Sequence, residues 1–195
     1  MKLHIIVSGI PASGKSTVGR AIATALGLAM LDKDDFLEAL FHSQDIRDAE
    51  SRKHLSRTAD EALREKALCT AAAVITSWWR HPSSSVDSGT PVEWLSSLSG
   101  IVIEIHCVCS PEVAAKRFLS RKRHEGHLDH MKTGADVLAN FQQQAALGPL
   151  GLGRVVKVDT EQTLQLRALL AEINSGLEHC RSISSPVRHG LPKER

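Results

Sequence analysis

The stretch "GIPASGKST", Gly9 to Thr17, stands between a β-branched run, "LHIIVSG", and a helical pattern, "KSTVGRAIATALG", that Gly27 closes. Its spacing is glycine, four residues, glycine, lysine, serine, the P-loop pattern in its strand–loop–helix setting. The chemistry of phosphate binding explains that spacing. The loop must curl its backbone N–H groups round a phosphate, and glycine tolerates the torsions and close approach this requires, a demand that falls on Gly9 and Gly14. Ile10, Pro11, Ala12 and Ser13 complete the curl between them. The helix that follows adds its free N–H groups and positive end, and Lys15 reaches the β- and γ-phosphates of a bound nucleotide as a point charge. Ser16 is placed to put its hydroxyl on Mg2+, and Thr17 belongs to the helix start and the phosphate cradle.

Outward from this loop, strands and helices alternate. "LAML", "AAAVITS", "GIVIEIHCVC" and "RVVKV" read as four further strands. Helical patterns lie between them: "DFLEALF" fading into "HSQDIRDAE", Arg52 to Cys69, "SPEVAAKRFLSRKR" with Ser110 as cap and Pro111 in its first turn, and "ADVLANFQQQAAL". "EQTLQLRALLAEINSG" closes the series. This alternation predicts an α/β, P-loop NTPase three-layer fold, a five-stranded parallel sheet with helices on both faces. Ligands of such sheets sit at the carboxyl ends of the strands. One domain is expected over residues 1–176, and the polar, breaker-rich "LEHCRSISSPVRHGLPKER", 177–195, reads as a loosely held tail.

Composition narrows the class. The chain has 195 residues, enough for one full core, and its 24 basic and 22 acidic side chains leave a net charge of +2, no case for a dedicated nucleic-acid binder. Four scattered cysteines do not make a disulfide framework; Cys107 and Cys109 share one face of an apolar strand and read as buried residues of a reducing compartment. The N-terminal apolar run is too short for a signal peptide, and no stretch approaches a membrane span. A cytoplasmic protein without a membrane partner is the expectation; oligomeric state is not encoded in these features.

A second dense stretch, "MLDKDDF", Met30 to Phe36, sets Asp32, Asp34 and Asp35 at the end of the second strand. Aspartate favours a helix N-cap, so the cluster could simply start a helix. With a nucleotide at the neighbouring strand tip, carboxylates there gain a use, since magnesium needs acids near it and a phosphoryl acceptor needs a base.

The quoted loop, "LDKDDF" and "CSPEVAAKRFLSRKRHEGH" together resemble the small P-loop kinases, the group of shikimate and gluconate kinases, chloramphenicol phosphotransferase, zeta toxins and polynucleotide kinases. The resemblance runs over roughly residues 1–176. It implies ATP and Mg2+ as cofactors and a small-molecule acceptor, with Asp34 as the base that takes the acceptor hydroxyl's proton. Asp32 is then the strand-end acid beside the metal, with Ser16. Asp35 is left to cap the helix. The resemblance also implies a lid at about 121–134, with Arg121 on the transferred phosphate and Arg117 on the adenine or α-phosphate side; Arg123 competes with Arg121. The segment "RHEGHLDHMKTG" lacks apolar period and is expected to be an exposed, flexible flap. His124, His127 and His130 beside Asp129 have a metal-like spacing, but a flap is the better reading.

Three features depart from the relatives. The third strand ends in "VITS" without the aspartate many P-loop proteins use for magnesium, which shifts weight to Asp32, with Asp87 in the following loop as a substitute. Leu37 stands where polynucleotide kinases carry arginine, and shikimate kinase's glycine triplet is absent. Trp78 or Trp79 could stack on an acceptor, and Arg47, Arg52, Arg57 and Arg80 could bind an acidic one, Arg57 and Trp78 being the candidates taken forward. The expectation is an ATP-dependent kinase with Lys15, Asp34 and Arg121 as catalytic groups. A P-loop regulator or weak NTPase without kinase activity is the alternative.

Overall fold

A computed structural model of the chain describes residues 2–44, 46 and 48–183, with side chains described to residue 178. Five parallel strands form one sheet: β1 (Leu3–Ser8), β2 (Ala29–Asp32), β3 (Ala72–Thr76), β4 (Ile101–Val108) and β5 (Arg154–Asp159), in the order β2-β3-β1-β4-β5. β1 is central, so the loop that follows it emerges from the middle of the sheet's carboxyl edge.

Alternation along β1 assigns the two faces. Ile5 and Val7 join Val18 and Ile22 of α1 (Lys15–Leu26) and Leu169 and Ile173 of α6 (Leu166–Ile183) in one buried layer. Ile6 points the other way, into a layer with Leu63 and Ala67 of α3 (Ala49–Cys69) and the ring of Trp94. Two smaller clusters frame the carboxyl edge. α2 (Lys33–Phe41) packs Leu37 and Phe41 on Leu55 and Ala59 of α3, and α4 (Pro111–Ser120) packs Phe118 on Phe141 of α5 (Gly134–Ala145). The expected three-layer α/β arrangement is the one observed.

Some boundaries move, each for a local reason. α3 starts at Ala49, not Arg52, because Asp48 accepts from the Ser51 N–H in a capping box. The last helix does not stop at Gly176: it runs on to Ile183, since Gly176 is a packing position where a Cβ would come 3.0 Å from Arg154 Cδ. Of the expected tail, residues 184–195 lie outside the described residues. A 3₁₀ turn at Glu93–Ser97, unmarked by sequence period, buries Trp94 and Leu95.

One buried charge ties the sheet to a loop. Glu104, fully buried on β4, accepts hydrogen bonds from Ser8 Oγ (2.5 Å) and from the N–H groups of Leu150 (2.8 Å), Gly151 (2.9 Å) and Leu152 (3.1 Å). A buried acid on this mostly apolar strand is tolerated because both its oxygens are hydrogen-bonded.

Candidate active site

The loop after β1 has the geometry of an anion cradle. Gly9 (φ 132°), Ala12 (φ 59°) and Gly14 (φ 88°) all take left-handed torsions. A Cβ on Gly9 would lie 2.6 Å from the carbonyl oxygen of Cys107, so only glycine fits. Lys15 Nζ folds back across the loop and donates to Gly9 O (3.0 Å) and Ile10 O (2.7 Å). Burial draws its pKa down to about 8, against the opposing pull of Asp34 and Asp32. Pro11, Ala12, Gly14, Lys15, Ser16 and Thr17 line a cleft of about 1390 Å³. Ile10 instead packs in the α4–α5 cluster, and Ser13 is wholly buried with an unpartnered Oγ; these two shape the loop without lining the cleft.

At the tip of β2, Ser16 Oγ donates to Asp32 Oδ2 at 2.6 Å, while Asp32 Oδ1 accepts the Asp34 N–H at 3.1 Å. Asp32 is thus the N-cap of α2, the role expected of Asp35. Asp35 lies in the first turn instead, exposed, 3.8 Å from Arg20, which also approaches Asp32 at 3.9 Å. Burial raises the Asp32 pKa, partly offset by the Ser16 bond. A hydroxyl and a carboxylate side by side at the loop suit Mg2+, a hard cation that takes oxygen ligands. The residues present therefore fit both the nucleotide and the metal.

Asp34 projects into the same cleft, where its carboxylate accepts from Arg123 Nη2. Of the two competing lid arginines, Arg123 makes this contact. Arg121 lies 4.5 Å over the ring of Phe118 and 3.5 Å from Asp129. Arg117 donates to the Thr160 carbonyl (2.9 Å) and approaches Cys109 Sγ (3.5 Å), beside Gly14, whose Cβ position is 3.5 Å from Thr160. Thr160, Asp159 and Gln162, which nothing in the sequence singles out, complete this end of the cleft.

The lid segment is not the unanchored flap expected from its polarity. Two 3₁₀ turns, Glu125–His127 and Asp129–Met131, are joined by Leu128 in a left-handed conformation (φ 56°). Gly126 and His127 are buried: His127 Nε2 lies 2.9 Å from Glu38 Oε1, and its ring meets Phe41 edge-on at 5.2 Å. The anchors are a glycine and a histidine, which an apolar period does not register. His124 meets Phe41 and His42 in tilted ring contacts while His130 is exposed, and no cluster of metal-ligating side chains occurs among the described residues.

The far wall is where acceptor candidates sort themselves. Trp79 is core, its Nε1 donating to Val7 O (2.9 Å), whereas Trp78 lines the cleft and donates to Gln144 (2.7 Å). Arg57 (3.8 Å), Arg80 (2.7 Å) and Lys53 (3.5 Å) all approach Asp87, which therefore sits among cations at the far wall. Arg52 also lines the cleft, and its guanidinium has no ion pair among the described residues; burial and then Arg123 lower its pKa. Arg47 lies outside the described residues. Lys33, buried, bridges to Ser56 (2.9 Å) and Asp60 (2.7 Å) and locks α2 to α3.

Comparison with known proteins matches residues 5–147 to the family model described as an AAA domain. A Xenopus tropicalis protein named "Probable gluconokinase" is 26% identical over 132 residues, covering 62% of this chain and 70% of that one. A Chloroflexus aurantiacus crystal structure, provisionally named a kinase, superposes with a TM-score of 0.72 at 26% identity, covering 91% of this chain and 97% of the other. Shikimate kinase from Bacteroides thetaiotaomicron shares the fold, with a TM-score of 0.57 at 19% identity over 91% of this chain and 99% of its own. No helix among the described residues is long and apolar enough to cross a membrane.

Proposed function

The chain belongs to the AAA domain family of P-loop proteins, and from that premise we propose that it is an ATP-dependent kinase that transfers the γ-phosphate to a hydroxyl of a small molecule. The observation that carries this reading is that one cleft holds both the phosphate cradle and Asp34, a half-exposed carboxylate that N-caps nothing and whose one protein contact across the cleft is Arg123.

In this reading Gly9 to Thr17 hold the phosphates, and Lys15 exchanges two backbone carbonyls for phosphate oxygens. Mg2+ held by Ser16 and Asp32 would neutralise charge on the phosphates. Asp34 accepts the acceptor's proton, Arg121 stabilises the transferring group, and Arg117 supports the adenine end. Arg52 gives the acceptor its chemistry: a guanidinium on the cleft wall without an ion pair among the described residues favours a hydroxyl compound that also carries an acidic group. Similarity to a named gluconokinase supports a sugar acid as the first candidate.

The test has two arms. Lys15→Ala should weaken MgATP binding by at least about tenfold, since a charge-assisted phosphate contact is worth roughly 1.5 to 3 kcal/mol. A panel of hydroxy acids, neutral sugars and nucleosides, scored by ADP release, should give activity with an acidic member. Unchanged nucleotide affinity in the variant, or no release with any acceptor, would count against the kinase reading.

A further inference from the structure

The ion pair of Arg123 with Asp34 joins residues 89 positions apart and engages one oxygen, Oδ2, of the group read above as the base. Arg123 does not arrive there by side-chain freedom. Its other terminal nitrogen, Nη1, lies 3.5 Å from Asp129 Oδ2, the same oxygen that Arg121 approaches at 3.5 Å, and Lys132 holds Asp129 Oδ1 at 3.1 Å. Two adjacent guanidinium groups would repel each other without that carboxylate between them. With it, Arg121 stays over Phe118 and Arg123 reaches the opposite wall. The segment that carries Asp129 is itself pinned to α2 through Gly126 and His127.

We propose that Arg123 is a specificity-determining residue that selects the acceptor hydroxyl against water, by occupying the Asp34 carboxylate until an acceptor displaces it. The inference rests on Asp34 being the base of a kinase. In transfer, the acceptor's O–H proton passes to Asp34 and the acceptor oxygen bonds to the γ-phosphorus. The bond from that phosphorus to the bridging oxygen breaks, and ADP keeps its electron pair. Hydrolysis is the same step with water in the acceptor's place, and inorganic phosphate is the product. A water molecule that takes the Asp34 Oδ2 position must break a charge-assisted bond and offers Arg123 nothing in exchange. An acceptor with an acidic group brings a new partner for the arginine, and its remaining contacts supply the binding energy for the displacement. Asp129 acts as the positioning residue that keeps the displaced arginine within the site.

Phosphate release from MgATP without any acceptor is the readout. Arg123→Ala should raise it about tenfold or more, a share of the hundred- to ten-thousandfold that a positioned base contributes. Adding Asp34→Asn to Arg123→Ala should return release to the starting rate, which a loosened structure would not do. Asp129→Asn, which unties the second bond of Arg123, should give a smaller rise in the same direction and serves as the test should Arg123→Ala fail to fold. Unchanged or slower release in variants that still bind MgATP would overturn the proposal alone, as would a rise that survives Asp34→Asn. Failure of the unmodified protein to bind a fluorescent ATP analogue with magnesium would instead remove the kinase reading, and this inference with it.

Discussion

Adding one methyl group at Gly126 should open the lid without unfolding the domain. The Gly126 backbone has no left-handed torsion, so alanine is acceptable locally and the effect is one of space. A Cβ there would lie 2.2 Å from Ile46 Cδ1 and 2.8 Å and 2.9 Å from Phe41 Cδ2 and Cγ. The Ile46 end can rotate away. The Phe41 ring cannot, because it is buried between His124, His127 and the Leu37–Leu55 cluster. Overpacking of this kind costs about 1 to 3 kcal/mol. Alanine also restricts the open segment more than glycine does, which returns about 0.4 to 1 kcal/mol. A net penalty of about 1 to 2 kcal/mol on the docked state lowers the docked-to-open ratio roughly five- to thirtyfold. Hydrogen exchange of residues 121–131 should accelerate by that factor in Gly126→Ala, with amides of β1 and β4 unchanged. Acceptor-free phosphate release should rise with it, since Arg123 leaves Asp34 when the segment undocks. A fall in melting temperature with no change in exchange of 121–131 would refute the reasoning, because the contact would then belong to the cooperative core and not to a lid.

Asp34→Asn should keep MgATP affinity and lose transfer by about two to four orders of magnitude, whereas Asp32→Asn should raise the magnesium needed for half-maximal rate; rate and magnesium titrations of the two variants separate the roles. Glu104→Gln turns one acceptor oxygen into a donor facing a backbone N–H and should cost about 2 to 4 kcal/mol, read as a melting temperature lower by about 5 to 15 °C. His127 is buried, which with Arg123 lowers its pKa below the ordinary 6.5 against the opposing Glu38 bond and Asp34 charge. The undocked segment therefore takes up a proton more readily than the docked one, so lid docking should be complete at neutral pH and weaken as pH falls below about 6.5. Exchange of 121–131 measured from pH 7.5 to 5.5, corrected for the intrinsic rate, checks the sign.

The sheet and its cradle were legible in one dimension. Four of the strands announced themselves by β-branched runs, β2 only by the short apolar stretch "LAML", and the helices by their period or their caps. The phosphate loop is built from nine consecutive residues whose backbone torsions depend on the residues themselves. Glu104 was legible in part: an acid inside "GIVIEIHCVC" must find donors, though nothing local says that they come from Ser8 and residues 150–152. The anchors of the lid were missed because the segment has no apolar period, whereas a glycine and a histidine can dock a segment if the surface opposite has the shape to receive them.

What the sequence by itself determined is therefore the architecture and the phosphate-loop motif, from the central strand through Thr17, with the position of the acids at the tip of β2. Only the tertiary structure decided which acid caps α2, which of Arg121 and Arg123 meets Asp34, which tryptophan is core, and that Arg52 has no ion pair among the described residues while Arg57 and Arg80 flank Asp87. The division follows the range of the interactions. Backbone torsion, capping and periodic burial act over a few neighbouring residues and leave a local signature, whereas a charge chooses its partner by distance in space, and that distance exists only after the sheet has set the strand tips side by side.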